Sequence, residues 1–169
     1  MDPSIKAFRE VIKQFADNWL SEGLPSKKKL DEVAQGLNQQ RCKLSISGIW
    51  VYPPTLTTAT IDDGLGQGLA VIEAFAKAIG MEIIRLGLMK QPEEIIVECR
   101  RHPPDFLGLT ILQFDTEEDL RFISQNLPKQ TRIVAGGPVF KSDPDFARRT
   151  GTHYAAKNVP DFLQFMLTV

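Results

Sequence analysis

The sequence predicts an α/β protein, a five-stranded parallel sheet preceded by a short α-helical N-terminal extension. Two patterns carry that expectation. Beyond Pro53-Pro54, short runs of β-branched and apolar residues alternate with amphipathic helical segments, whereas before the prolines every apolar repeat has helical spacing. Size agrees, because 169 residues hold one domain of ordinary dimensions plus a modest extension.

Taken in order, Ile5, Phe8, Ile12, Phe15 and Trp19 recur at three- and four-residue spacing and mark one helix face, which Gly23 ends. Ser26 is placed to cap a second helix with Leu30, Val33, Ala34 and Leu37 on its apolar face and Lys27 to Lys29 in its solvated first turn. Gly48, Trp50, Tyr52 and the proline pair then read as an extended connector. Residues 1–54 are therefore a helical extension and linker, and residues 55–169 an α/β domain. In that domain Thr55 to Ile61 is the first strand, Gly66 to Ile79 a helix, Met81 to Leu86 the second strand and Pro92 to His102 a helix. Phe106 to Leu112 is the third strand, and Thr116 caps a helix over Glu117 to Asn126. Arg132 to Ala135 is the fourth strand, Asp143 to Arg149 is helical, Thr152 to Ala156 is a short fifth strand, and Pro160 to Leu167 closes the chain as a helix. Strands separated in this way by helices need a parallel sheet covered on both faces, the flavodoxin-like (Rossmann-like) three-layer α/β/α arrangement.

Composition excludes several classes of partner. With 20 basic and 21 acidic residues the formal net charge is −1, which gives no electrostatic reason for nucleic acid or an anionic membrane surface. Met1 to Leu20 is amphipathic and contains Asp2, Glu10 and Asp17, so it reads as neither signal peptide nor membrane span, and a cytoplasmic location is expected. Cys42 and Cys99 stand far apart with no CxxC partner; a zinc site and a disulfide are not expected, and both read as small buried residues.

Ligands of such sheets sit beyond the carboxyl ends of the strands. The loop after the first strand, Asp62-Asp63-Gly64-Leu65-Gly66-Gln67-Gly68, places three glycines at alternate positions directly before a helix, where backbone can approach a ligand and offer amide groups. Its plainer reading is a tight turn whose two aspartates cap the next helix. The third strand runs into Thr110-Ile111-Leu112-Gln113 and the fourth into Gly136-Gly137-Pro138, so a hydroxyl and paired glycines flank the same edge.

These residues resemble the cobalamin-binding module of the methionine synthase, methylmalonyl-CoA mutase and corrinoid-protein type, which carries D-x-H-x-x-G after its first strand, S-x-L at the third and G-G at the fourth. Gly66, Thr110-Ile111-Leu112 and Gly136-Gly137 stand in that order and spacing; Gly87 to Pro92, Pro104 to Leu109 and Gly151 to Ala155 extend the match. The resemblance implies cobalamin as cofactor, lined by Asp62, Asp63, Gly64, Leu65, Gly66, Gln67, Gly68, Thr110, Leu112, Gln113, Gly136, Gly137, Pro138 and Tyr154. It also shows a departure. Counting back from Gly66 puts Asp63 where the family has its cobalt-ligating histidine and Ile61 where it has the partner aspartate, so the ligand motif is degenerate. A carboxylate is a harder donor than imidazole and a poor substitute on cobalt. His102 precedes Pro103-Pro104 at the opposite end of the third strand and His153 lies in the fifth, so neither replaces the missing ligand.

A response-regulator receiver would need an acceptor aspartate after the third strand, which Thr110 to Gln113 does not supply, and a flavodoxin would need a hydroxyl-rich rather than acidic first loop. No nucleophile, base and orienting group occur as a set, so the chain is not expected to be an enzyme. The expectation is a stand-alone corrinoid carrier or sensor lacking the lower-ligand histidine, working with a partner enzyme such as a methyltransferase and able to form a homodimer through its N-terminal helices. The alternative is a degenerate module without cofactor, serving protein interaction or regulation through the apolar face of its N-terminal helix.

Overall fold

The computed structural model describes all 169 residues and separates into two compact units. One consists of Met1–Pro54, Val71–Glu82 and Asn158–Val169, the other of Thr55–Ala70 and Ile83–Lys157.

In the first unit, α1 (Pro3–Glu22) starts where the Asp2 carboxylate accepts from the amides of Ser4 and Ile5, and it stops at Gly23, whose φ is +94°. Ile5, Phe8, Ile12 and Ala16 are buried along one face. The helix α8 (Val159–Met166) packs on α1 and buries Phe162, Leu163 and Met166. The face expected to serve a second copy or a partner is thus covered within the chain itself. Ser26 caps α2 (Lys27–Lys43) through the Lys29 amide as expected. Cys42, expected to be buried, is exposed on α2, and Cys99 is buried; burial, with Glu98 nearby, pushes the Cys99 thiol up to about 11. The connector after α2 is anchored at both ends of the unit. Arg9 donates to the carbonyl of Ile49 at 2.8 Å and to that of Leu167, and Trp50 Nε1 donates to Val169 at 2.8 Å. Trp19 meets Phe75 edge-on at 5.6 Å.

The second unit carries the sheet. Its strands are β1 (Thr55–Thr60), β2 (Glu82–Gly87), β3 (Phe106–Thr110), β4 (Arg132–Gly136) and β5 (Tyr154–Ala155), in the spatial order β2-β1-β3-β4-β5 with parallel pairing from β1 through β5. This is the flavodoxin-like order, which turns back between β1 and β3. Register places Thr60, Thr110 and Gly136 side by side at the carboxyl edge. Ala59, Leu107, Leu109, Ile133 and Ala135 from the strands form a dry core with Ile95, Ile96 and Cys99 of α4 (Pro92–Arg101) and Leu120 and Ile123 of α5 (Glu117–Asn126).

Three local expectations are corrected. Thr116 makes no side-chain cap on α5; its hydroxyl donates back to the Gln113 carbonyl at 2.8 Å and closes a 3₁₀ turn over Phe114–Thr116. The helix expected over 143–149 begins only at Phe146 (α7, Phe146–Thr150), because the Asp143 carboxylate accepts from the Asp145 amide and makes a turn instead. A five-residue helix, α6 (Pro138–Ser142), was not expected; it follows the glycine pair and sinks Val139 and Phe140 into the core. The remaining helix, α3 (Gln67–Ala78), starts directly after the glycine loop.

Candidate functional site

The carboxyl edge of the sheet is shaped by three side chains at the end of β1. Thr60 is fully buried. Its hydroxyl donates to the Asp63 carbonyl at 2.5 Å and accepts from the Met89 amide at 2.9 Å, while its own carbonyl accepts from Lys90 at 2.8 Å. The loops after β1 and β2 are thereby tied together. Asp62 reaches the other way: its carboxylate accepts from the amides of Leu112, at 2.9 and 3.0 Å, and Gln113, at 2.8 Å, which opens the loop after β3. Asp63, 8% exposed, turns inward, and its Oδ1 accepts from the amides of Leu65 at 2.9 Å and Gly66 at 3.0 Å. Neither aspartate caps α3; one builds the turn before the helix and the other joins two loops.

Two glycines are fixed by backbone angle, and the second of them by space as well. Gly66 has φ +66°, and a Cβ there would lie 2.6 Å from Leu88. Gly137 has φ +128°, and a Cβ there would lie 1.9 Å from the carbonyl oxygen of Ile111. Close backbone packing therefore holds the loops after β3 and β4 against each other, an arrangement reinforced where Ile111 donates to the Gly136 carbonyl at 2.9 Å.

Around this tied centre stands a set of apolar side chains that ordinary folding would bury. Leu65 after β1 is 78% exposed, Leu88 and Met89 after β2 are 42% and 56%, and Leu112 and Phe114 after β3 are 38% and 48%. All five lie on loops of one edge, so the surface there is apolar rather than scattered singly. Gly64 and Gln113 are exposed on the same loops, Gln67 and Gly68 are exposed at the start of α3 and Pro138 at the start of α6, and Thr110, Gly136 and Gly137 are half-buried. Tyr154 is the outlier among the expected lining residues, since it pairs with Val134, two residues short of Gly136. Thr60, Leu88, Met89 and Phe114 were not singled out in the sequence. The exposed three followed strand ends and carried that signal, whereas Thr60 looked like any β-branched strand residue.

The histidines lie elsewhere. His102 ends α4, and the exposed His153 precedes β5, where its Nδ1 accepts from the Ile133 amide at 2.9 Å. Partial burial, and secondarily Arg132, lowers its pKa from 6.5. No group of three or more His, Cys, Asp or Glu side chains is arranged to hold a metal ion, and no helix is long and apolar enough to cross a membrane. A separate groove of about 540 Å³ beside β2 and α4 is lined by Leu86 and Val97 together with Arg85, Lys90, Glu93, Glu94 and Glu98, a mixed apolar and charged lining.

Residues 54–158 match the B12 binding domain. The chain belongs to that family. No curated protein matches it by sequence. Among solved structures, this B12-binding-domain chain is similar to a cobalamin-binding protein from Desulfitobacterium hafniense, with 18% identity over 97% of this chain and 80% of that one and a TM-score of 0.80. It is also similar to the monomethylamine corrinoid protein of Methanosarcina barkeri, at 14% identity, 93% and 77% coverage and TM-score 0.63. A third is the methanol:cobalamin methyltransferase complex of the same organism, at 16% identity, 96% and 66% coverage and TM-score 0.63. At these identities the structures establish a common fold. What distinguishes this chain rests on its own loops, where the Asp63 carboxylate is engaged by two amides of its own turn.

Proposed function

We propose that this protein binds a corrinoid of the cobalamin class without a protein histidine ligand and serves as its carrier or sensor, with residues 55–169 as the binding module and residues 1–54 as its helical extension. The observation that carries the reading is the apolar edge, five exposed large side chains on three loops around a centre that is already fixed by hydrogen bonds. A corrin ring is broad and apolar on its faces and carries amide groups on its rim. Leu65, Leu88, Met89 and Leu112 suit its face, and the side-chain amides of Gln67 and Gln113 with the backbone near Gly66 and Gly68 suit its rim. Thr110, Gly136 and Gly137 are suited to flank the nucleotide tail. When bound, the corrinoid supplies cobalt-centred group-transfer chemistry, and the protein supplies orientation and exclusion of water. Asp63 does not fit the role of cobalt ligand, because its carboxylate is inward, buried and occupied.

A carrier of this kind needs an enzyme that loads or unloads it, and a methyltransferase is the partner this reading favours; a corrinoid neighbour of similar fold is part of a methyltransferase complex. Titration of the protein with hydroxocobalamin and with methylcobalamin, followed by visible absorption, tests the proposal. Saturable binding with the spectrum of a cofactor whose benzimidazole has left cobalt, and loss of that binding in Thr110→Trp, is the expected result. No retained cofactor and no spectral change at high-micromolar cobalamin would leave a degenerate module with a protein-interaction or regulatory role.

A further inference from the structure

Asp62 occupies a position that the family motif leaves open, between the places of its aspartate and its histidine, yet its carboxylate spans the turning point of the sheet. It accepts from the amides of Leu112 and Gln113, residues 50 and 51 positions away in the chain. These two amides lie where the chain leaves β3 and enters the 3₁₀ turn of Phe114–Thr116, itself closed by the Thr116 hydroxyl on the Gln113 carbonyl. Just before them, Ile111 is held by the Gly136 carbonyl and by the close approach of Gly137. The segment 111–116 is therefore held on one side by β4, at its far end by its own turn, and on the β1 side by Asp62. Fixing Leu112 and Gln113 fixes the directions of Leu112 and Phe114, two of the five exposed apolar side chains.

We infer that Asp62 is a positioning residue that sets the affinity of the site for its corrinoid by holding the β3 loop in its receiving conformation before the ligand arrives. The inference rests on the corrinoid reading given above. Its physical content is preorganisation: a loop already ordered does not have to be ordered by the ligand, whereas a loop released to solvent lowers the fraction of competent molecules and weakens apparent affinity by that fraction. Asp62 touches neither cobalt nor ring in this account, and it acts only through two backbone amides. Hydrogen bonds from neutral donors to an ionised acceptor are the stronger class, so their removal should be felt.

The test uses the full chain with Asp62→Asn, Asp62→Ser and Asp62→Ala as a graded series, so that the result does not depend on one variant folding. Two quantities are read on each: amide hydrogen exchange at Leu112 and Gln113 without ligand, and the affinity and association rate of hydroxocobalamin. In Asp62→Ala both amides should lose protection while those of the β3 strand keep theirs, and the affinity should fall roughly tenfold or more, chiefly through slower association. Asn, which keeps an acceptor oxygen, should recover most of both. Affinity equal to wild type in a variant whose two amides exchange freely would overturn the inference and leave the corrinoid reading standing, and so would amides that stay protected without the carboxylate. Failure of the wild-type protein to bind hydroxocobalamin would remove both together.

Discussion

Two places in the second unit each hold a pair of carboxylates, and they use them differently. At the end of β1, Asp62 and Asp63 accept from four backbone amides and so determine the path of two loops. On the outer face of α5 and α7, Glu117 and Asp143 converge on the guanidinium of Arg149, at 3.1 and 2.7 Å, while Arg121 joins through Glu117 at 2.8 Å. There the Arg149 guanidinium holds both carboxyls below their usual range, and they in turn raise its own pKa. A strongly perturbed cluster is a common guide to functional sites, yet this one joins two helices at the surface. The loop aspartates carry the architecture of the carboxyl edge of the sheet. The difference teaches that what a charge holds in place is more informative than how far its pKa is displaced.

The largest effect should come from the inward aspartate. Asp63→Ala leaves the amides of Leu65 and Gly66 without their acceptor inside a largely buried turn, and a loss of about 2–3 kcal/mol in unfolding free energy is expected from denaturant titration. A loss well below 1 kcal/mol, on the order of an exposed ion pair, would erase the contrast with the surface cluster. Arg149→Ala should cost less and should leave hydroxocobalamin binding unchanged. Its pH dependence has a definite sign. Glu117 and Asp143 have depressed folded pKa values, so the stability they contribute is present above the ordinary carboxylate values of 4.5 and 3.8 and is lost as pH falls through the folded ones. The gap in melting temperature between wild type and Arg149→Ala should therefore close on acidification below about pH 4; a constant gap would show that the ion pairs are not its source.

The smallest effect concerns His153. Its folded pKa lies below 6.5 and its Nδ1 accepts from Ile133, so the fold favours the neutral ring. Its contribution is complete above pH 6.5 and declines as pH falls through the folded value. In His153→Gln the decline in stability from neutral pH towards pH 5 should be shallower than in wild type, when both are followed by chemical denaturation. An equal slope would assign the decline to other groups.

Much of the fold was legible because apolar periodicity reports which face each segment buries. Ile5, Phe8 and Ile12, or Ile95, Ile96 and Cys99, announce a helix wherever they are placed, and both sets are buried. Short elements carry no such repeat: the five residues of α6 offer little more than one helical turn, and the delayed start of α7 depends on a side chain turning back on its own backbone. Cys42 was misread because small apolar character does not specify a helix face. At the ligand edge, the loops could be located from strand ends and glycines. The partners of Asp62 could not, since they are amides 50 residues away whose proximity follows from the sheet order. Thr60 was hidden for a related reason, as its hydroxyl works inside a strand whose sequence shows only a β-branched residue.

The first unit is assembled from three separated stretches of chain, and this has a consequence for how the protein is made. Arg9 donates to the carbonyl of Leu167, 158 residues later, and Trp50 to that of Val169. A ribosome releases α1 long before α8 exists. Throughout synthesis of the sheet, Ile5, Phe8 and Ile12 lack the helix that covers them in the finished molecule, so the nascent chain presents a sticky amphipathic segment until α8 has been made.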